Sequence, residues 1–522
     1  MYASLCPEKY AGLADCVVAG EAERIWPQFC ADLEAGQVQH LYREQGEIDL
    51  KDSPVPRFDL LELDRYSYAA IQFSRGCPYR CEFCDIIVMF GRKPRTKTPE
   101  QIGLELDVLR AMGVRKVFFV DDNLVGNRPA AKALLRYLIE YQARHRYRFV
   151  FGTEGSINLA QDAELLALLR EAGFAWLFIG IETTDPESLK ETRKTQNTQE
   201  DILTSVRRIY ASGIDVLAGF IVGFDNDTVE TFDTQYRFIN DSGIQAAMVG
   251  LLGALPRTPL YERLEKEGRL IPQAENHDNT RPGTNFVPKR MSYDAMVEGY
   301  QKLYLRLMTD HNIALRVRNK MRHMGRPVYD GGYSTSEGLG ILFRLVVRGI
   351  VPGGWRRIRH FVSTLPVFAP SHLPLLVSEW IFALALREYV QRRFAAHAGD
   401  ARALEQRFAA LKAAITGYLQ QGKAALSLKR QEQPDLALSL TDVLDRRFFR
   451  RAAPKLERLL KHTRTRLTLR VESIHPPQVE SFQRLLHRLR RFGDRVSIVM
   501  SARLREVVPV DSSVFHLVLV DA

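Results

Sequence analysis

The sequence predicts an α/β fold, in which strand–helix units build a parallel sheet and are followed by a helical region and a small C-terminal α/β element. Three observations predict it. Apolar runs suited to buried strands recur at 68–73, 116–120, 148–152, 175–181, 214–222 and 245–252, with amphipathic stretches at 99–112, 129–144, 163–172, 198–212 and 228–242 between them. Glycine stands where several of those stretches should stop, at Gly113, Gly173, Gly213 and Gly243. Beyond about residue 290 this pitch gives way to basic helices. Strand, helix, strand at such spacing requires parallel pairing through right-handed crossovers. Six units make either an open doubly wound sheet or a partial barrel, and the strands alone do not choose.

Taken in order, residues 1–45 hold one strand–helix unit, ADCVVA at 14–19 and a helix over 22–33, too small to bury a core alone. Residues 46–65, with Pro54 and Pro56 among charges, read as a linker. The sheet occupies 66–266. Residues 267–290, rich in Pro, Asn and Gly, form a boundary loop before a basic helical domain over 291–462. A small α/β subdomain follows over 463–522, with strands at 466–471, 495–500 and 514–520 and a helix over 477–492.

Composition narrows the class. The chain has 522 residues, 46% of them hydrophobic and 26% charged, which excludes a disordered or collagen-like polymer. Six cysteines are too few for a disulfide scaffold. The opening MYASLCPEKYAG lacks a basic flank before an apolar run, so no signal peptide is expected. The best candidate for a membrane span, 373–386, is interrupted by Glu379 and falls short of the roughly 20 residues a spanning helix needs. A cytoplasmic protein, with contact to a membrane surface as an option, is the expectation. The net charge of +11 comes without aromatic RNA-binding signatures, zinc-finger spacing or long Lys/Arg blocks. A solvated basic face is therefore expected, and no nucleic-acid partner.

Three cysteines sit within eight residues, as Cys77-Pro-Tyr-Arg-Cys81-Glu-Phe-Cys84. Given one cysteine, two more at those offsets arise by chance on the order of 1 in 10⁴ times. They follow the first strand directly, at the carboxyl end where parallel α/β folds place active sites. Three close thiolates suit a soft metal. Closed structural zinc needs a fourth ligand, and the nearest following histidine is His145. A [4Fe–4S] cluster held by three cysteines keeps one iron open; a structural knuckle completed by a distant ligand is the competing reading.

CxxxCxxC after the first strand of a six-unit βα fold resembles the signature of radical S-adenosylmethionine (SAM) enzymes, over roughly residues 60–290. The resemblance implies a partial (β/α)6 radical SAM barrel. It implies that Cys77, Cys81 and Cys84 hold a [4Fe–4S] cluster whose open iron is chelated by SAM. Reductive cleavage of SAM then yields a 5′-deoxyadenosyl radical that abstracts hydrogen from an unactivated carbon. Phe83 matches the aromatic position whose backbone contacts adenine. Asp121-Asp122-Asn123 stands where the family contacts the methionyl amine, a fitting place for carboxylates; the alternative is a helix cap. Glu154 and Glu182 close the third and fourth strands, where the family binds ribose, though each also reads as a plain surface carboxylate. Gly219, Ile221 and Gly223, in GFIVGF, resemble the fifth-strand motif whose glycines admit adenine. LPRTPLY at 255–261 resembles a sixth-strand loop of the cobalamin-dependent and methylthio-transferring branches.

QFSRGCPYRCEFCDI, FFVDDN, GIET, GFIVGFD and ALPRTPLYERLEKEGRL together resemble the cobalamin-binding branch, which includes hopanoid methylases. That branch implies methyl transfer to a hydrophobic substrate, hopanoid or isoprenoid-like, with a flavodoxin- or ferredoxin-type electron donor. Its members carry a Rossmann-like cobalamin domain before the barrel. Here 1–45, including Gly20-Glu21-Ala22-Glu23, reads as only its last unit, and Asp-x-His-x-x-Gly is absent. Two expectations stay open: the sequence starts inside a longer cobalamin domain, or cobalamin is lost and the barrel performs a cobalamin-independent oxidation, rearrangement or cyclisation. A methylthiotransferase would need three more placed cysteines. A non-catalytic iron–sulfur scaffold would have no use for the other strand-end motifs. In the helical region, apolar 339–350 with Arg344 and Arg348, the Trp355-Arg-Arg-Ile-Arg359 run and apolar 373–386 suit either a membrane interface or helices packed over the barrel mouth.

Overall fold

Six parallel strands lie side by side in the order of the chain: β1 (Ala69–Ile71), β2 (Lys116–Phe119), β3 (Val150–Gly155), β4 (Phe174–Glu182), β5 (Asp215–Val222) and β6 (Ala247–Leu251). The computed structural model describes residues 2–44, 46–271, 282–328, 334–429, 434–463 and 465–520. A doubly wound sheet reverses its strand order midway. This one does not, so every right-handed crossover puts its helix on the same face and the sheet is a partial (β/α)6 barrel.

Side-chain alternation builds the two faces. Phe119, Phe151 and Phe174, with ring centroids 5.3–5.6 Å apart, pack beneath the helices. Phe118 stacks on Trp176 at 4.9 Å on the opposite face, where Gly152 leaves room for the indole. The helices run Pro99–Ala111, Arg128–His145, Ala163–Glu171, Ile202–Ala211 and Thr231–Ser242. Thr98 and Gln101 form a reciprocal N-terminal cap on the first. Gly113, Gly173, Gly213 and Gly243 all take positive φ after these helices, as the stop signals require. Of the boundary loop 267–290, residues 272–281 lie outside the described residues.

The chain divides into two units, Met1–Val390 and Gln391–Ala522. In the first, Val17–Ala19 pairs in parallel with Leu41–Arg43 across the helix Ala22–Glu34. The linker 46–65 is not purely extended: it makes three short 3₁₀ turns and buries Leu50 and Phe58. The helix Tyr293–Leu307 covers the β6 edge, its Tyr304 hydroxyl bonded to both Val249 N and O. The helix Asp310–His323 docks at the amino ends of β5 and β6. There the fully buried Lys320 Nζ lies 2.6 Å from Asp215 Oδ1 and 2.8 Å from Glu379 Oε2, and Arg316 Nε donates to Gln245 Oε1. Helix Asp310–His323 therefore attaches at the end opposite the mouth that carries the cysteines, while Tyr293–Leu307 runs along the β6 edge and sets Met296 beside Gly223. Helix Leu373–Val390 buries Leu376, Val377, Trp380 and Ala383 in the core it shares with Val317 and Phe361.

The second unit is a five-stranded sheet, Ala424–Lys429, Asp435–Leu440, Arg466–Val471, Val496–Ser501 and His516–Val520. Its first two strands correct the reading of continuous helix through 462. Leu436, Leu438 and Leu440 alternate with a period of two, a strand signal that the neighbouring long helices obscured. Helix Arg446–His462 buries Phe448, Ala452, Leu456 and Leu459 and sends its arginines outward. Gln391–Ala522 carries 25 Lys and Arg against 13 Asp and Glu, and Met1–Val390 carries 48 against 49, so the basic excess belongs to the second unit.

Candidate functional site

The cysteine loop leaves β1 through Ser74–Arg75, which pairs antiparallel with Arg95–Thr96 and so clamps residues 76–94 into a closed loop. Gly76 makes the first bend at φ +92°; a Cβ there would lie 3.1–3.2 Å from the carbonyl oxygens of Phe90, Gly91 and Lys93. From outside, Glu21 accepts from both hairpin arginines, Arg75 and Arg95, at 2.7 Å each. The N-terminal strand–helix unit thus braces the loop.

Asp121, fully buried after β2, accepts from Phe73 N (2.8 Å), Ser74 N (2.8 Å) and Ser74 Oγ (2.6 Å). Burial outweighs these donors and pushes its carboxyl up to about 7. Asp122 accepts from Gly76 N at 2.9 Å. Both carboxylates are thus engaged in shaping the start of the loop. Asn123, the third member, faces the thiols: its Nδ2 is 3.8 Å from Cys77 Sγ, and its buried Oδ1 has no partner among the described residues.

On the other side stands Glu182. A bulge between Gly180 and Glu182 breaks the β4–β5 register, and Glu182 takes φ +63°, a left-handed conformation costly for a side chain of its kind. The result aims its carboxylate at Lys194, whose Nζ lies 2.5 Å from Oε1. Burial opposes the Lys194 ammonium, yet Glu182 and then Cys81 hold its pKa above the ordinary lysine value. Lys194 also lies over the Phe83 ring, at 5.8 Å. Two residues on, buried Gln196 points Nε2 at Cys81 Sγ (3.6 Å) and leaves Oε1 unpartnered among the described residues. Sequence reading missed Lys194 and Gln196: both sit in a polar run, ETRKTQN, that looks like ordinary surface until the bulge folds it back.

The remaining expected residues fall into two groups. Phe83 and Ile221 meet in one apolar cluster with Phe224, and the Phe83 and Phe224 rings are 5.9 Å apart. Gly219 faces Phe178, whose ring a Cβ would meet at 3.3 Å, and Gly223 at φ +125° abuts Leu252 and Met296, so internal packing gives both glycines a reason. Glu154 stands apart, half-buried, its carboxylate making no hydrogen bond or ion pair among the described residues. Its carboxyl is pushed up to about 7 by burial and then by Asp122. The loop's far side is tied down by a network sequence reading also missed: Arg263 joins Glu82 (2.8 Å) to Asp225 (2.7 Å), and Arg269 holds Asp225 at 2.8 Å.

All six cysteines are free thiols, Cys81 buried and Cys77 and Cys84 half-buried. Burial pushes the Cys84 thiol up to about 12. Among the described residues no three Cys, His, Asp or Glu side chains converge on one point as a single-ion site would require. A four-iron cube makes a different demand, one thiolate per iron. Three soft ligands on one clamped loop, amide donors at two sulfurs and a buried ammonium beside them fit an anionic iron–sulfur cluster.

Residues 71–239 match the family model of the radical SAM superfamily, and 258–397 match a domain of unknown function, DUF4070. An uncharacterised methyltransferase of Synechocystis is 44% identical over 295 residues, 56% of this chain and 55% of that protein. The hopanoid C-2 methylase of Rhodopseudomonas palustris is 38% identical over 360 residues, 66% of this chain and 67% of the methylase. Among solved structures, the cobalamin-dependent SAM radical enzyme OxsB is similar with a TM-score of 0.47 at 14% identity, over 88% of this chain and 70% of that one.

Proposed function

Because the chain belongs to the radical SAM superfamily, we propose that it is a [4Fe–4S]-dependent enzyme that cleaves SAM and methylates an unactivated carbon of a hydrophobic, hopanoid- or isoprenoid-like substrate. One observation carries the cluster: Cys77, Cys81 and Cys84 share a clamped loop at the carboxyl end of β1. A bound cluster supplies the electron for reductive cleavage of SAM. Everything else is the work of this chain's residues. Cys77, Cys81 and Cys84 would be the ligands, and Asn123 and Gln196 would donate to ligand sulfurs. Lys194 offsets negative charge in a buried site, with Glu182 fixing its position. Phe83, Ile221 and Phe224 supply an apolar wall that excludes water. Asp122, Glu154, Gly219 and Gly223 would border the space for SAM, and Asp121 would act through the loop.

Methyl transfer and the hydrophobic substrate rest on the names of the relatives, whose length the chain spans by 55% and 67%. A second reading is a cobalamin-independent radical oxidation or rearrangement on the same barrel. A flavodoxin- or ferredoxin-type donor in a reducing cytoplasm suits either. Anaerobic reconstitution with iron and sulfide, followed by dithionite and SAM, tests the reading. 5′-Deoxyadenosine should form in the wild type and not in Cys81→Ala. Product from Cys81→Ala at the wild-type rate would refute the assignment. Added methylcobalamin separates the two readings: methylated product requires it in the first and is absent in the second.

A further inference from the structure

Helix Ser336–Val362 is long and apolar enough, by length and composition, to cross a membrane, yet little of it is buried. Two details oppose a straight span. Gly354 takes φ +74° and ψ −175°, which breaks the rod into 335–353 and the helix Gly354–Val362. The first segment also contains the wider π turn Leu345–Ile350. In an α-helix every fourth residue drifts around the axis, and a π turn, bonded i to i+5, drifts the other way. Leu339, Phe343, Val347 and Val351 therefore keep to one side, and Trp355 opens the helix that follows the break. All five are exposed, Phe343 by 67% and Trp355 by 76%. Leu345 and Ile350 on the other side pack into the core beside Trp380. The next loop adds Val367 at 76% and a fully exposed Phe368.

Charge identifies what covers this surface. From Gly338 to Ser378 the chain has five arginines and no Asp or Glu. Arg357 is spent on Asp310 at 2.9 Å. Arg344, Arg348, Arg356 and Arg359 make no ion pair among the described residues, and Arg344, Arg348 and Arg356 each directly follow an exposed apolar residue of the stripe. Apolar side chains flanked by unpaired arginines are complementary to acyl chains beneath anionic headgroups. A second copy docking through the same face would set arginine against arginine.

We propose that this stripe binds the protein, lying flat, to an anionic phospholipid bilayer. The surface belongs to the helical layer docked at the amino ends of β5 and β6, away from the cysteine loop, so the inference concerns anchoring rather than substrate entry. It goes beyond the proposed chemistry and does not depend on it.

The test uses the full-length apo chain and phosphatidylcholine vesicles with and without phosphatidylglycerol. Co-sedimentation should require phosphatidylglycerol and weaken with salt. Trp355 emission should shift to the blue on binding, and Trp355→Phe should lose that shift while still binding. Phe343→Ser/Val347→Ser/Phe368→Ser should lower vesicle affinity at least tenfold, as should Arg344→Glu/Arg348→Glu/Arg359→Glu, with the circular dichroism of both unchanged. If the apolar triple variant sediments like wild type, attraction comes from the basic second unit alone and the proposal is overturned. It is equally overturned if wild type stays in the supernatant, or if it forms a dimer that the triple variant dissolves and vesicles do not compete.

Discussion

Lys194 Nζ lies 2.5 Å from Glu182 Oε1, and the pair is buried against the cysteine loop. Neither charge is tolerable there alone. Removing one partner of a buried pair typically costs about 3–5 kcal/mol, because the other is left uncompensated. Lys194→Met and Glu182→Gln should each lower the urea midpoint accordingly. The double variant should recover most of the loss, since replacing both charges removes the orphan. The double variant should still form little 5′-deoxyadenosine, which separates the pair's role at the cluster from its role in folding. Full SAM cleavage by the refolded double variant would reduce Lys194 to a packing residue.

Asp121 gives the loop its starting direction. Alanine there would strand two backbone N–H groups and the Ser74 hydroxyl. A buried unsatisfied donor costs about 1–3 kcal/mol, so Asp121→Ala should destabilise by about 3 kcal/mol and shed iron after reconstitution. Asp122→Ala, which frees only Gly76 N, should be milder in both respects. Equal iron retention by Asp121→Ala and wild type would show that the loop holds its course without this carboxylate.

Glu154 sets a pH dependence opposite to that of a salt-bridged acid. Its pKa is about 7 in the folded chain against 4.5 as the ordinary value. Below pH 4.5 both states are protonated and no difference arises. Between pH 4.5 and 7 the unfolded chain loses this proton first, so stability falls as pH rises, and it levels off above 7. The full interval is worth about 3 kcal/mol, reduced to about 2 kcal/mol by the partial exposure of the group. Glu154→Gln should therefore flatten the melting profile between pH 5 and 8 and melt higher than wild type at pH 8. Parallel profiles for the two proteins would show that Glu154 ionises normally.

The barrel was legible because its signals are local. Apolar runs, amphipathic stretches and stop glycines each concern a few neighbouring residues, and all six strands lie where those signals fall. Strand order was not legible: an unreversed sheet and a doubly wound one share the same elements, and only pairing distinguishes them. At the site, the spacing of Cys77, Cys81 and Cys84 and the position of Asn123 carried their own meaning. Lys194 and Arg263 did not, because a buried lysine or arginine is defined by a distant carboxylate, Glu182 across a bulge or Glu82 at 181 residues' separation. The strands Ala424–Lys429 and Asp435–Leu440 were masked by strongly helical sequence on both sides. Exposure of the 339–355 stripe likewise depends on which face the core takes.

Arg263 is the tie between the cysteine loop and the end of the barrel. Its guanidinium spans Glu82 at 2.8 Å and Asp225 at 2.7 Å, while Leu260 N donates to Glu82 O and Glu82 N to Thr192 O. Burial works against the Asp225 carboxylate, but Arg269 and Arg263 hold its pKa down at about 2. The stability this confers is complete above pH 3.8 and is lost as pH falls through 2. In Arg263→Met, Asp225 keeps Arg269 but Glu82, 8% exposed, is left without a cation. The loop should then open locally at a fraction of the cost of global unfolding. Amide exchange should accelerate at Glu82 and Leu260, and the β3–β4 amides should keep their protection. Unchanged exchange at both amides would mean that the backbone bonds hold the loop without the arginine.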